Sequence, residues 1–328
     1  MGEGGDFVAA LTPLKDRVFP GAARKQQVKS TRKKDVKMFA EFLQFLFSGV
    51  TLGATYALVG LGFSIIYNAS HVINFAQGEF VMLGGMGTVF FIGLGLPMPI
   101  AILAAIALAT LFGFGLEKLA IAPARGASVV TLIIITIGAS IVMRGLAQVF
   151  WGKEFHALPA FSGDTPINIA GATILPQSLW VLGVTILLVI ALRYFFDKTL
   201  MGKAIIATSL NRDAAQLMGI NVKLVLFISF GLSAALGAAA GILVAPITLT
   251  NFEAGIMLGL KGFCAAILGG LGNGMGAVAG GMIVGVAEAM GAGYLVSEYK
   301  DAIAFILILL VLFFKPSGLF GKTGTERV

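Results

Sequence analysis

Residues 68–79, between two long apolar runs, carry Asn68, Ser70, His71, Asn74, Gln77 and Glu79. Polar side chains at that density are costly against lipid, so they either line a cavity at a helix break or form an exposed connecting loop with a capped helix beginning near Asn74. On the first reading Glu79, nearest the following apolar run, is the leading candidate for a group that meets a solute inside a membrane, with Asn74 and Gln77 beside it. Lys261 and Glu288, each isolated in an apolar segment, are second candidates that pair with another charge or snorkel to the interface. Arg144 and Glu253 are isolated in the same way and are less persuasive. His71 and His156 lack partners at metal-ligand or catalytic spacing, so no metal site and no enzyme site are expected.

A second chemistry-bearing stretch is the polar interruption from Asp197 to Asn221. Asn211 can cap a short helix, Asp213 sits in its first turn where the macrodipole favours negative charge, and Gly219 can supply a left-handed C-terminal residue. Ala214, Leu217 and Met218 fall on one face at helical spacing, next to Ala215. Spacing alone leaves two readings, docking into a groove on another protein or lying on the membrane surface. Two phosphate-binding lookalikes fail. Gly321-Lys322-Thr323 would need its leading glycine at Pro316, and Gly272-Asn273-Gly274 has no preceding strand. No cofactor is expected in this chain, and ATP would have to be bound elsewhere.

The elements that must hold these groups are membrane helices. The chain is 58% hydrophobic and 12% charged over 328 residues, whereas soluble domains are about one quarter charged. Apolar runs long enough to cross a hydrocarbon core of about 30 Å recur from Phe42 onward. Helices are predicted near 40–66, 75–95, 98–121, 128–150, 178–196, 223–246, 255–271, 275–295 and 300–315. The expected fold is an all-α membrane protein, a polytopic bundle of eight to nine transmembrane helices with an inverted repeat and a cytoplasmic coupling helix. Around the permease domain, 38–321, the reading places a flexible basic extension over 1–37 that can lie on anionic membrane lipid and a cytoplasmic tail over 322–328. The domain itself carries an external loop, 151–177, and the polar loop, 197–221. The first apolar stretch is too long for a signal peptide's core and should remain as a span. The single cysteine, Cys264, excludes an intrachain disulfide.

The net charge of +7 gathers at Arg24–Lys37, Lys118–Arg125, Arg193–Lys223 and the C-terminal end. These clusters lie between or beside spans, the positive-inside pattern of cytoplasmic loops, and lack the basic face with interleaved aromatics that nucleic acid requires. Counting back from Lys118 through three spans puts the basic N-terminus outside, against its own charge. Either the extension violates the rule, giving nine spans, or the segment near 75–95 is re-entrant, giving eight. Leu83-Gly84-Gly85-Met86-Gly87 recurs as Leu268-Gly269-Gly270-Leu271-Gly272, and each copy follows an Asn-Phe pair, at 74–75 and 251–252. The copies lie five spans apart, on the second and seventh predicted helices, which would invert the second one. Glycines spaced four apart, at 272, 276 and 280, at 281 and 285, and at 237 and 241, read as packing surfaces.

The run Asp213-Ala214-Ala215 through Gly219 resembles the Glu-Ala-Ala-x-x-x-Gly loop by which ABC importer permeases contact their ATPases, with aspartate in place of glutamate. More of the chain resembles the permeases of high-affinity branched-chain amino acid importers. The resembling residues are 49–58 (GVTLGATYAL), 73–79 (INFAQGE), 201–204 (MGKA), 268–272 (LGGLG), 298–301 (EYKD) and 316–321 (PSGLFG). The resemblance implies a heteromeric importer in a bacterial inner membrane. Its parts would be this chain, a second related permease, two ATPase subunits and a periplasmic binding protein delivering leucine, isoleucine or valine. The contact with the ATPase would then fall on Asn211, Asp213, Ala214, Ala215, Leu217, Met218 and Gly219. The same machine could serve urea, amides or other amino and organic acids. An ion-coupled secondary transporter using Glu79, Lys261 and Glu288 is the alternative of a different class.

Overall fold

The computed structural model describes residues 20–294 and 297–321, with side chains from residue 37 on. Helix α1 (Pro20–Ser70) is followed by α2 (Gln77–Gly93), α3 (Met98–Leu116), a π turn (Glu117–Ile121) and α4 (Val129–Trp151). A hairpin of β1 (Ile167–Ile169) and β2 (Ala172–Ile174) leads to α5 (Pro176–Lys198), α6 (Leu200–Leu210) and α7 (Arg212–Leu217). The chain closes with α8 (Val222–Thr248), α9 (Ala254–Gly269), α10 (Gly274–Tyr294), a 3-10 turn (Ser297–Tyr299) and α11 (Lys300–Phe314). Six of these stretches are long and apolar enough to cross a membrane: α1 from Lys37, α3 with its π turn, α4, α5, α8 and α10. The protein is a multi-pass helical membrane protein.

Local chemistry sets the boundaries. Thr131 N donates to Ser128 Oγ at 3.2 Å and Leu224 N to Asn221 Oδ1 at 3.2 Å, capping α4 and α8. Pro176 opens α5 at a position where its missing N–H is not needed. One expectation is corrected. Residues 20–37 are not a separate flexible extension but the first turns of α1, in which Pro20 at the start is followed by good helix formers such as Ala22, Ala23, Arg24 and Lys25. Residues 1–19 and the tail 322–328 lie outside the described residues. Within residues 151–177, Ala170 and Gly171, at φ +52° and +87°, form the tight turn of an antiparallel hairpin.

The interior is made of α1, α2, α8, α9 and α10. Helix α2 is buried continuously from Gln77 to Thr88, while α3, α4 and α5 turn long apolar faces outward, including Ile134, Ile141 and Val149 on α4. Small residues set the spacing. A Cβ on Gly241 of α8 would stand 1.9 Å from Val81 O, and one on Gly84 of α2 would stand 2.2 Å from Ala238 O. Lipid offers no hydrophobic drive between helices, so such close backbone approach supplies the packing attraction instead. Gly281 and Gly285 serve the same purpose against α1, and Gly280 against α9.

The direction of α1 is settled by its two ends. Thr173 of the hairpin donates to Gln44 Oε1 from its backbone N at 2.7 Å and from its hydroxyl at 3.0 Å. Ala69, at the other end of α1, packs with Ile205 of α6 and Val222 of α8, among the basic loops. The Gln44 portion of α1 therefore lies at the hairpin's end of the bundle and Ala69 at the opposite end. The glycine repeat is not a structural one. Residues 83–87 lie inside α2, whereas 268–272 close α9 with Gly270 and Gly272 at φ +100° and +85°.

Replacing Gly241 with valine should lower thermal stability in detergent by about 1–3 kcal/mol through overpacking. Gly183→Ala, at a position with open space around it, should leave stability unchanged or raise it by up to about 1 kcal/mol.

Candidate functional site

Two helices begin inside the bundle. After α1 the backbone leaves helical geometry for residues 71–76, and after α8 for residues 249–253. Non-helical backbone at membrane depth must find its partners within the protein. Phe75 N donates to Thr136 Oγ1 at 3.1 Å, and Ala76 N to Asn74 Oδ1 at 3.1 Å. At the second break Glu253 N donates to Asn251 Oδ1 at 3.2 Å, while His156 and Thr250 exchange backbone hydrogen bonds of 2.8 and 2.9 Å. The helices that emerge, α2 and α9, meet at their second residues. A Cβ on Gly78 would lie 2.2 Å from Gly255 O, and one on Gly255 would lie 2.3 Å from Gly78 O.

Glu79 sits at this meeting point, in the first turn of α2, where the helix dipole favours a carboxylate. It is 2% exposed. Ser140 Oγ donates to Glu79 Oε1 at 2.8 Å, Arg144 Nη2 donates to Ser140 Oγ at 3.2 Å, and that same nitrogen stands 3.3 Å from Glu79 Oε1. Ser140 and Arg144 are one turn apart near the middle of α4, which places Glu79 at depth as well. Glu79 Oε2 and Arg144 Nε are buried without a partner. Both residues line a cavity of about 160 Å³ between α2, α4 and α9, whose other walls include Phe63, Phe75, Ile256, Leu260 and Phe263.

The other candidates fall into two places. Asn74 and Gln77 build the break and do not line this cavity. Gln77 is fully buried, donates to Ser233 O at 3.1 Å and lies 2.6 Å from Ser233 Oγ, tying α2 to α8. Lys261 and Glu288 belong to a separate node. Lys261 Nζ donates to Glu288 Oε1 at 2.7 Å and to Asp301 Oδ1 at 2.6 Å, and it stands 5.6 Å over the Tyr56 ring. The Tyr56 hydroxyl donates to Glu288 Oε2 at 2.9 Å. This cluster joins α1, α9, α10 and α11 and floors a cavity of about 440 Å³ that reaches Gln44 and the hairpin residue Thr173. The pairing of Lys261 with Glu288 was open to sequence reading, but Tyr56 and Ser140 went unnoticed there. Their partners lie on other helices, and no spacing along the chain points to them.

Within the polar interruption the caps at 211–219 form as the spacing predicts, whereas residues 200–210, read as loop, fold into α6. Ala214 N donates to Asn211 Oδ1 at 2.9 Å, Asp213 lies in the first turn of α7, and Gly219 follows at φ +84°. Leu217 and Met218 are 89% and 85% exposed, which leaves them available to a partner, whereas Ala215 is buried and holds α7 to the body.

Comparison with known proteins decides the class. Residues 45–312 match the family described as branched-chain amino acid transport system / permease component. The chain belongs to this permease family. The high-affinity branched-chain amino acid transport system permease protein LivH of Escherichia coli K12 is 35% identical over 89% of this chain and 99% of that protein. BraD of Pseudomonas aeruginosa, with the same description, is 33% identical over 88% and 98%. An archaeal relative from Methanocaldococcus jannaschii, a probable branched-chain amino acid transport permease protein, is 30% identical over 80% and 88%. The similarity to those proteins thus extends over 80% or more of this permease.

The Lys261 node generates a stability prediction. Lys261→Met strands two carboxylates and should destabilise the permease by about 3–5 kcal/mol. Tyr56→Phe, which removes one hydrogen bond to a charged group, should cost about 1.5–3 kcal/mol. Thermal unfolding of the detergent-solubilised permease measures both, and equal effects would contradict the assigned geometry.

Proposed function

We propose that this permease is the membrane subunit of an ATP-driven importer in a bacterial inner membrane, and that it forms half of the translocation pathway for branched-chain amino acids. The family match across residues 45–312 carries this reading. The relatives' descriptions supply the cargo. In this reading α2, α9 and α11 join the six long helices to make nine crossings. The two Asn-Phe breaks and the contact between Gly78 and Gly255 support an inverted repeat centred on the paired helix starts. The Glu79 cavity opens beside exposed Ile141 on α4, and an ionic pair at this depth is costly toward lipid, so a second related permease covers that flank.

Coupling belongs to α7. Two ATPase subunits on the side of the basic loops bind and hydrolyse ATP, and this chain carries no cofactor of its own. Leu217 and Met218 enter a groove on the ATPase, the caps at Asn211 and Gly219 keep the helix rigid, and Asp213 occupies its first turn. A periplasmic binding protein delivers the amino acid on the hairpin side, into the cavity floored by Lys261 and Glu288.

Gly219→Val forces a β-branched residue into the left-handed region, at a cost of about 1–2 kcal/mol, and should loosen the cap. In proteoliposomes containing all subunits, leucine uptake should fall about tenfold while ATP hydrolysis continues without stimulation by the loaded binding protein. Unchanged uptake and unchanged stimulation would refute the coupling role. Uptake by the permease alone under an imposed ion gradient would refute the ATP-driven class.

A further inference from the structure

The two ionic nodes differ in how completely they are closed. At Lys261 the partners are present: two carboxylates accept from the ammonium, and one of them accepts from Tyr56 as well. At Glu79 the set is incomplete. One carboxylate oxygen holds Ser140 and faces Arg144, while the other has no donor, and Arg144 Nε has no acceptor. Buried polar groups are almost always satisfied, so a buried carboxylate oxygen without a protein donor that also faces a cavity calls for a partner in that cavity. What is left over is one acceptor on an anion and one donor on a cation, side by side on one small cavity.

We infer that Glu79 and Arg144 hold an α-amino acid in transit by its two charges, the ammonium on Glu79 Oε2 and the carboxylate on Arg144. The inference rests on the reading of the chain as an amino acid permease and adds the place and manner of recognition. Arg144 suits a carboxylate because its guanidinium offers several donors in a fixed plane. The starts of α2 and α9 converge at Gly78 and Gly255, so two positive helix ends bias the same region toward an anion. Phe75, Ile256, Leu260 and Phe263 receive an aliphatic side chain. The cavity of about 160 Å³ is smaller than the pockets of about 300 Å³ and above that hold drug-sized ligands, which restricts it to a small solute.

The test uses the assembled complex of both permeases and both ATPases in lipid nanodiscs, without binding protein, and measures binding of radiolabelled leucine. Competitors are 4-methylpentanoate, which keeps only the carboxylate, and 3-methylbutylamine, which keeps only the ammonium. Each should compete at least about tenfold more weakly than unlabelled leucine, since each forfeits a hydrogen bond to a charged group. Glu79→Gln should narrow the preference over the carboxylate-only competitor to under about threefold, and Arg144→Gln should do the same for the amine. Ile256→Trp, which fills the cavity and spares the ionic pair, should abolish binding even if the charge variants fail to assemble. Absent leucine binding, equal competition by single-charge analogues, variants that keep the full preference, or retained binding in Ile256→Trp would each overturn the inference. Leucine uptake by the complete system with binding protein, measured in parallel, separates these outcomes. Uptake that persists while the binding pattern fails leaves the permease reading standing, and absent uptake removes that reading itself.

Discussion

Helix backbones in direct contact, with only glycine hydrogens between them, are the constraint from which the rest of this membrane protein follows. Gly78 against Gly255, Gly84 against Ala238 and Gly241 against Val81 bring α2, α8 and α9 closer than any larger side chain would allow. Lipid tails are as apolar as leucine, so helix association depends on such dispersion contacts instead of on burial from water. The same closeness lets two helices start where they do, because the breaks before them hold buried Asn74, Ala76, Thr250 and Asn251 against protein.

Those breaks account for most of the polar residues that stand out in an apolar chain. Each break frees backbone amides, and Asn74, Asn251 and Thr136 accept from them. Gln77 is likewise consumed in joining α2 to α8. Much of the polar segment is therefore architecture, whereas Glu79 faces a cavity. The two ionic nodes divide along similar lines. The Lys261 cluster is saturated and joins four helices, so removing one member leaves buried charge behind. The Glu79 pair retains free valences and joins only α2 to α4.

The basic end of the bundle is built as a continuous block. Helix α6 folds back on α5, where a Cβ on Gly202 would stand 2.2 Å from Phe195 O, and Ala215 anchors α7 to the same block. Ile205 of α6 packs with Ala69 near the end of α1 and with Val222 and Leu226 of α8. Residue 70 opens directly into the break that leads to Glu79. Packed side chains and a few residues of chain thus connect α7 with the start of α2.

Hydropathy and charge in the sequence determined the membrane class, the positions of eight apolar helices to within a few residues, and the capped α7, because length, period and cap chemistry are local properties; the early start of α1 at Pro20 and the helix α6 were not legible there. They also located Glu79, Lys261 and Glu288 as charges that lipid would not tolerate. The rest belongs to the tertiary structure. Glu79 meets Ser140 and Arg144, which lie some sixty residues away in the chain, and Glu288 meets Tyr56, which is far more distant. The LGGMG and LGGLG segments read alike, yet one packs helices and the other turns the chain. Small residues recur on nearly every helix here, so their pattern shows that helices approach closely without showing which ones. Partner choice is settled only when all the faces pack at once.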